Sequence, residues 1–380
     1  MSAGWQPDRR TMLGLGAGAL VSAAWPALAA QGDMLIVNAL GGLGNPNAPR
    51  RSGPIQEPAR LELEPRVLAD ARASGMDVVN VTIGYVAGPM EPFEHSIRQI
   101  GFWEARLNAH RDTLFKVLTP FDLLRARDER KIGIILGFQN AAMMGNDASR
   151  AEIFANLGVR VIQLTYNPAN QIGDGAMAPG NRGLTPFGRE LVSALNDSKV
   201  MVDLSHSGER TCLEAAEASR RPISINHTGC RALTDLPRNK TDIELRAVAD
   251  RGGFVGIYFM PFLNPRSVAT PDDVVAHIEH ALNVCGEGHV GIGTDGGTTA
   301  VDDMAAYRAA IRQEIAERRA AGIGAAGENP DTLPFVEGLS GPNQFRELIL
   351  LLERRRHPAR RIERIMGLNF VDFAREVWGV

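Results

Sequence analysis

Short apolar runs recur along this chain, with longer amphipathic stretches between them. MLIVNAL occupies residues 34 to 40, DVVNVTI 77 to 83, KIGIILG 131 to 137 and VRVIQLT 159 to 165. KVMVDLS at 199 to 205, PISINH at 222 to 227, GFVGIY at 253 to 258 and HVGIGT at 289 to 294 complete the set. Each is close to continuous Val, Ile and Leu, which is how a strand reads when both faces of a parallel sheet are covered. The intervening segments, among them TPFGRELVSALN, ERTCLEAAEAS, DIELRAVADR and PDDVVAHIEHALNVC, have helical spacing. This alternation predicts an α/β fold of (β/α)8 type, a TIM barrel, since such barrels take about 250 residues. A doubly wound open sheet is the rival, and no GxGxxG turn supports it.

The same pattern predicts a helical tail, GPNQFRELILLLERRR followed by RIERIMGLNFVDFAREVWG, packed on the outside of the barrel. Residues 319 to 340 are rich in Gly, Ala and Pro and read as a loop or lid, while NQIGDGAMAPGNRG reads as a mobile loop after the fourth strand. No linker separates a second domain, so residues 30 to 380 form a single domain. Residues 1 to 29 differ in kind. Arg9 and Arg10 precede a mild Gly/Ala-rich apolar stretch and then Ala27-Leu28-Ala29, the layout of a twin-arginine export signal. The stretch is too short and weak for a membrane span, so the expectation is an exported, periplasmic protein without a membrane span once the signal is cleaved.

Composition narrows the picture further. Charged residues make up 22% of the 380 and the formal net charge is −3, which is no footprint of a nucleic-acid binder. The three cysteines, Cys212, Cys230 and Cys285, have no CxxC spacing, so neither a disulfide framework nor a structural zinc knuckle is expected. Cys230 reads as a small buried filler.

Active sites of such barrels lie at the C-terminal ends of the strands, and this rule sorts the histidines. His206 and His227 stand at or just past strand ends. His289 opens the eighth strand and falls on the opposite face. His277 and His280 sit on a helix outside the barrel and read as solvated; His95, His110 and His357 lie in polar helical contexts. Asp295 ends the eighth strand in GIGTDGG. Two imidazoles and a carboxylate at strand ends of one barrel can converge on a metal that takes nitrogen and oxygen ligands, or can cap their strands individually.

As a set, VDLSHSG, INHTGCRAL followed by LPRNKTD, GGFVGI, GIGTDGG and the tail IMGLNFVDF resemble the membrane (renal) dipeptidase family, the M19 metallopeptidases. The resemblance in order and spacing runs from about residue 34 to the tail. It implies an amidohydrolase-type barrel that holds two zinc ions and cleaves dipeptides, including those ending in a D-residue. By that resemblance His206 and His227 match the histidines of the second zinc. Asp295 matches an aspartate that serves the first zinc and proton transfer, and Arg238 the arginine that grips the substrate carboxylate. The departures matter as much. Leu40 and Gly42 stand where the family has a His-x-Asp pair, Gln139 replaces the bridging glutamate, and Tyr166 replaces a substrate-polarising histidine. Tyr166 and the adjacent Asn167 are then expected to face the substrate, Tyr166 as a hydrogen-bond donor.

The first zinc site has therefore lost all but Asp295, and one zinc ion is expected instead of two, on His206 and His227 with Gln139 or Asp295. Three readings follow: a mononuclear hydrolase of dipeptides or related amides with a free carboxylate, a metal-free binding protein, or acid–base chemistry by the histidines without metal. The partner is a dipeptide or other small molecule, and a homodimer is possible on this fold.

Overall fold

The structure of the protein is a computed structural model that describes residues 1, 34–48 and 63–379. The expected leader, with Arg9 and Arg10, lies outside the described residues. Nine strands form one parallel sheet: β1 (Val37–Gly41), β2 (Val78–Ile83), β3 (Leu114–Lys116), β4 (Ile132–Phe138), β5 (Val159–Gln163), β6 (Met201–Asp203), β7 (Ser224–Thr228), β8 (Phe254–Ile257) and β9 (Val290–Ile292). They pair in the order β1-β2-β4-β5-β6-β7-β8-β9, and β3 pairs with β4 off this path. The eight on the path are the eight apolar runs. Short β3, only LFK with a single buried residue, has too little apolar length to stand out by pattern.

Side chains close the ring between its first and last strands. Asn38 of β1 donates from Nδ2 to Thr294 Oγ1 at 2.9 Å and accepts from Thr294 N at 2.8 Å. Main-chain bonds from Asp295 N to Leu40 O (3.0 Å) and from Gly42 N to Gly296 O (3.1 Å) extend the join. The result is a nearly closed (β/α)8 barrel of amidohydrolase type.

The helical tail divides its work. The helix Gln344–Arg354 packs outside, beside the helix Pro271–Cys285, as the sequence predicts. The last helix, Asn369–Trp378, does not. It carries a broad apolar face in Phe370, Val371, Phe373 and Trp378, more than one outer groove can bury. That face packs with Leu35, Val37, Val78, Met201 and Phe254, residues at the beginnings of strands. Phe254 meets Phe370 edge-on at 5.2 Å, and Asn369 Nδ2 donates to Val290 O at 2.8 Å. The helix thus lies across the N-terminal mouth of the barrel, which leaves the C-terminal ends of the strands as the open face. No helix among the described residues is long and apolar enough to cross a membrane.

Candidate active site at the C-terminal ends of the strands

Asp203, the last residue of β6, explains the turn that follows it. Its buried carboxylate accepts from Ser205 N (3.0 Å), Ser205 Oγ (2.5 Å) and Asn226 N (3.0 Å) of β7. Burial pushes this carboxyl upward, and the three donors oppose the shift. Ser205 Oγ in turn accepts from His227 N at 3.1 Å. One carboxylate therefore registers the chain after β6 against β7 and brings His206 and His227 face to face.

The two imidazoles meet Nε2 to Nε2 at 3.0 Å, with His206 only 4% exposed and His227 not at all. Burial, with Arg238 beside them, holds both well below the usual histidine range, so both rings are neutral at physiological pH. His206 Nδ1 lies 2.7 Å from Asn167 Oδ1, while Asn167 Nδ2 donates to Ile323 O at 2.9 Å. That assignment puts the proton of His206 on Nδ1 and leaves its Nε2 lone pair facing His227. Tyr166 stacks on the His206 ring at 4.2 Å.

Arg238 closes the cluster. It is 3% exposed, donates from Nη1 to Ser205 O, and sets Nη2 3.3 Å from His206 Nε2. Behind it Lys240 donates to Ser207 O and pairs with Glu244 at 3.2 Å, both buried.

The exposed side of this cluster floors a cavity of about 410 Å³. His206, Arg238, Tyr166, Gln139 and Asp295 all border it, whereas His227 sits behind His206. Of the expected residues, His206, His227, Arg238, Tyr166 and Asn167 form one contiguous cluster. Gln139 and Asp295 share the cavity, yet among the described residues no hydrogen bond joins either to an imidazole. Gln139 Nε2 donates to Thr82 Oγ1 at 2.6 Å. Asp295 adopts φ 58°, a left-handed conformation uncommon outside glycine, which aims its carboxylate away from the ladder. Burial raises that carboxyl to about 6 against the pull of Arg238 and Arg318. Asn167, expected against substrate, borders the same cavity, and both ends of its amide are engaged, one of them orienting His206.

Four features were not legible in the chain. Arg318, from the helix Met304–Ala320, reaches the cavity and pairs with Glu328 at 3.2 Å. Burial works against its charge, but Tyr166 and Glu328 outweigh that and hold it firmly charged. Its AERRA context reads as an exposed charged face. His95, assigned to a polar helix, is 4% exposed and borders the same cavity. His277, expected in solvent, is 1% exposed: its Nδ1 accepts from Cys230 N at 2.8 Å and its Nε2 donates to Leu263 O at 2.9 Å. The loop after β5, expected to be mobile, is tied down. Gly175 bridges Ser207, and buried Asp174 accepts from Arg182 N at 2.6 Å. The 319 to 340 segment does border the cavity, through Ile323, Ala325, Glu328, Thr332 and Pro334.

Zinc is the ion the resemblance implies, and the donors can be tested against it. Two lone pairs cannot sit 3.0 Å apart without something positive between them, either a shared proton or a cation. Two nitrogens on one tetrahedral zinc stand about 3.3 Å apart, given bonds of about 2.0–2.1 Å, so the pair fits one ion. The bond from His206 to Asn167 is the orienting contact that ligating histidines have. The rest of the shell is thinner. No three His, Cys, Asp or Glu side chains converge on one point among the described residues. Among the described residues, His227 Nδ1 also has no hydrogen-bond partner.

A barrel whose buried imidazoles, carboxylate and arginines share one cavity at the strand ends is a hydrolase-type amidohydrolase barrel in architecture. The membrane dipeptidase family, peptidase family M19, matches residues 90–322, and this chain belongs to it. Dipeptidase tcpJ of Claviceps purpurea is 27% identical over 286 residues, which cover 74% of this chain and 60% of that relative's length. An amidohydrolase from Pseudomonas aeruginosa superposes with a TM-score of 0.77 at 28% identity, covering 92% of this chain and 98% of that one. A Rhodobacter sphaeroides metallopeptidase, solved with a phosphinate mimic of L-Ala-D-Ala, has a TM-score of 0.67 at 19% identity, covers 82% and 90% of the two chains, and shares the fold.

Proposed function

We propose that this protein hydrolyses dipeptides or related small amides carrying a free carboxylate, with one zinc ion instead of two. The observation that carries the reading is the buried pair of Nε2 atoms 3.0 Å apart, whose outer member, His206, borders a cavity also bordered by Asp295 and Arg238. His206 and His227 would hold the ion, with Asp295 or Gln139 nearby, and it would supply Lewis-acid polarisation and an acidified water. Arg238 and Arg318 bring two permanent cations to one cavity, which suits a substrate carboxylate and a developing oxyanion. Asp295, with its carboxyl at about 6, can hold a proton between acid and base roles near neutral pH. Tyr166 keeps His206 flat against its ring and can turn its hydroxyl toward the substrate. Segment 319 to 340 contributes Ile323, Ala325, Glu328, Thr332 and Pro334 to the cavity wall. The Arg9-Arg10 leader pattern supports an exported, periplasmic enzyme.

Metal analysis of protein purified without chelator tests this directly. About one equivalent of zinc per chain is expected, and His206→Ala removes metal and dipeptide turnover together. Arg238→Ala mainly raises KM. Two equivalents, or unchanged turnover in His206→Ala, overturn the assignment.

A second reading has an observation of its own. Arg238 Nη2 at 3.3 Å already points at the His206 lone pair, and a cation held there competes with a metal. In that case the cavity binds a carboxylate ligand without cleaving it. Ligand binding with negligible zinc, and thermal stability indifferent to chelator, would favour it.

A further inference from the structure

A second chamber of about 420 Å³ adjoins the first, and the two share Asp295 and Pro334 as wall residues. It lies where β1 ends and the chain leaves β9, at the positions where Leu40 and Gly42 stand in place of metal ligands. Gly41, Gly42 and Gly44 form one side and Gly296 and Gly297 another, so backbone takes the place of side chains there. Among the described residues, a Cβ added at Gly42 or Gly44 meets no atom within 4 Å, and neither glycine has a positive φ. The space is therefore open by choice of residue, without a backbone need for glycine.

The chamber's chemistry differs from that of its neighbour. The first cavity holds Arg238, Arg318, Glu314 and Glu328; in the second, Asp295 at the boundary is the one charged residue among the described wall residues. Phe259 and the pair Tyr307–Phe335, whose rings lie 5.8 Å apart, also line it. Thr299 in the wall has a buried hydroxyl without a partner among the described residues. A free ammonium entering this space would find Asp295 and beyond it only neutral groups, whereas an uncharged flat or apolar group would meet backbone dipoles and aromatic faces.

We propose that the substrate's amino end is blocked by an uncharged, flat or apolar group that lies in this glycine-lined chamber beside Asp295. The proposal rests on the first cavity being the substrate site, with the carboxylate toward Arg238 and Arg318. A substrate of this class is longer than a bare dipeptide and spans both chambers across Asp295.

Calorimetric titration of the full-length protein with non-cleavable phosphinate analogues of alanyl-alanine and of N-benzyloxycarbonyl-alanyl-alanine tests it. Wild type is expected to bind the blocked probe at least about tenfold more tightly, a difference of about 1.4 kcal/mol. Gly42→Leu fills the chamber and should erase that preference while leaving affinity for the unblocked analogue within about twofold, with melting temperature as the folding control. Gly44→Leu provides the same test if Gly42→Leu fails to fold. Equal affinities in wild type, or a preference untouched by either leucine, overturn the proposal. Arg238→Ala separates this from failure of the first cavity. Weakening of both probes keeps the cavity as the site, whereas no effect on either removes it and the proposal with it.

Discussion

Single residues carry the site's geometry through close approach and burial. Gly175 passes beneath the turn that presents Tyr166 and Asn167, and a Cβ there would lie 1.9 Å from Tyr166 O and 2.4 Å from Asn167 O. Gly175→Ala must push that turn away from His206. We expect a loss of at least about 2 kcal/mol in stability and a sharp fall in ligand affinity, read by denaturant titration and calorimetry. Asp77 offers a test away from the site. Its carboxylate accepts from Ile36 N at 2.8 Å, yet burial outweighs that bond and raises the carboxyl from 3.8 to about 6. The folded state thus binds this proton more tightly than the unfolded chain. The contribution of Asp77 is full below about 3.8 and is lost as pH rises through about 6, on the order of 2 kcal/mol after allowance for its partial exposure. Asp77→Asn should flatten the melting temperature against pH across that window; an unchanged slope would contradict the assignment.

At the scale of elements, the last helix does what its position in sequence does not announce. Its apolar stripe says that it must be buried, but a stripe does not specify whether it lies in an outer groove or across the barrel mouth. Phe254 settles the matter through its contacts with Phe370 and Phe373. Phe370→Ala should cost about 3–5 kcal/mol by cavity formation, while ligand affinity of the remaining folded protein stays at the wild-type value. A loss of affinity without loss of stability would mean that the helix communicates with the site. The eight buried strands were legible because a strand covered on both faces needs apolar residues throughout. β3 was not, since three residues at an edge impose no pattern.

At the scale of the molecule, closure joins residues 256 positions apart through Asn38 and Thr294. Asn38→Ala leaves Thr294 N buried without its acceptor and opens the seam between first and last strands. The expected cost is about 1–3 kcal/mol, appearing as a shift of one cooperative unfolding transition. A new, earlier transition would show instead that the barrel unfolds in parts.

The sequence alone determined the eight strands of the closing path, the barrel and the place of His206, His227 and Asp295 at strand ends. Burial on both faces and the polarity of a parallel barrel write themselves into residue types. By the family resemblance, Leu40, Gly42, Gln139 and Tyr166 stand where other donors are expected. Tertiary structure decided what no local pattern encodes: that Asn167 holds His206, that Arg318 and His95 reach the same cavity, and that His277 is buried. Those outcomes depend on which distant segments arrive beside a side chain, and a polar residue reads alike in sequence whether solvent or protein surrounds it.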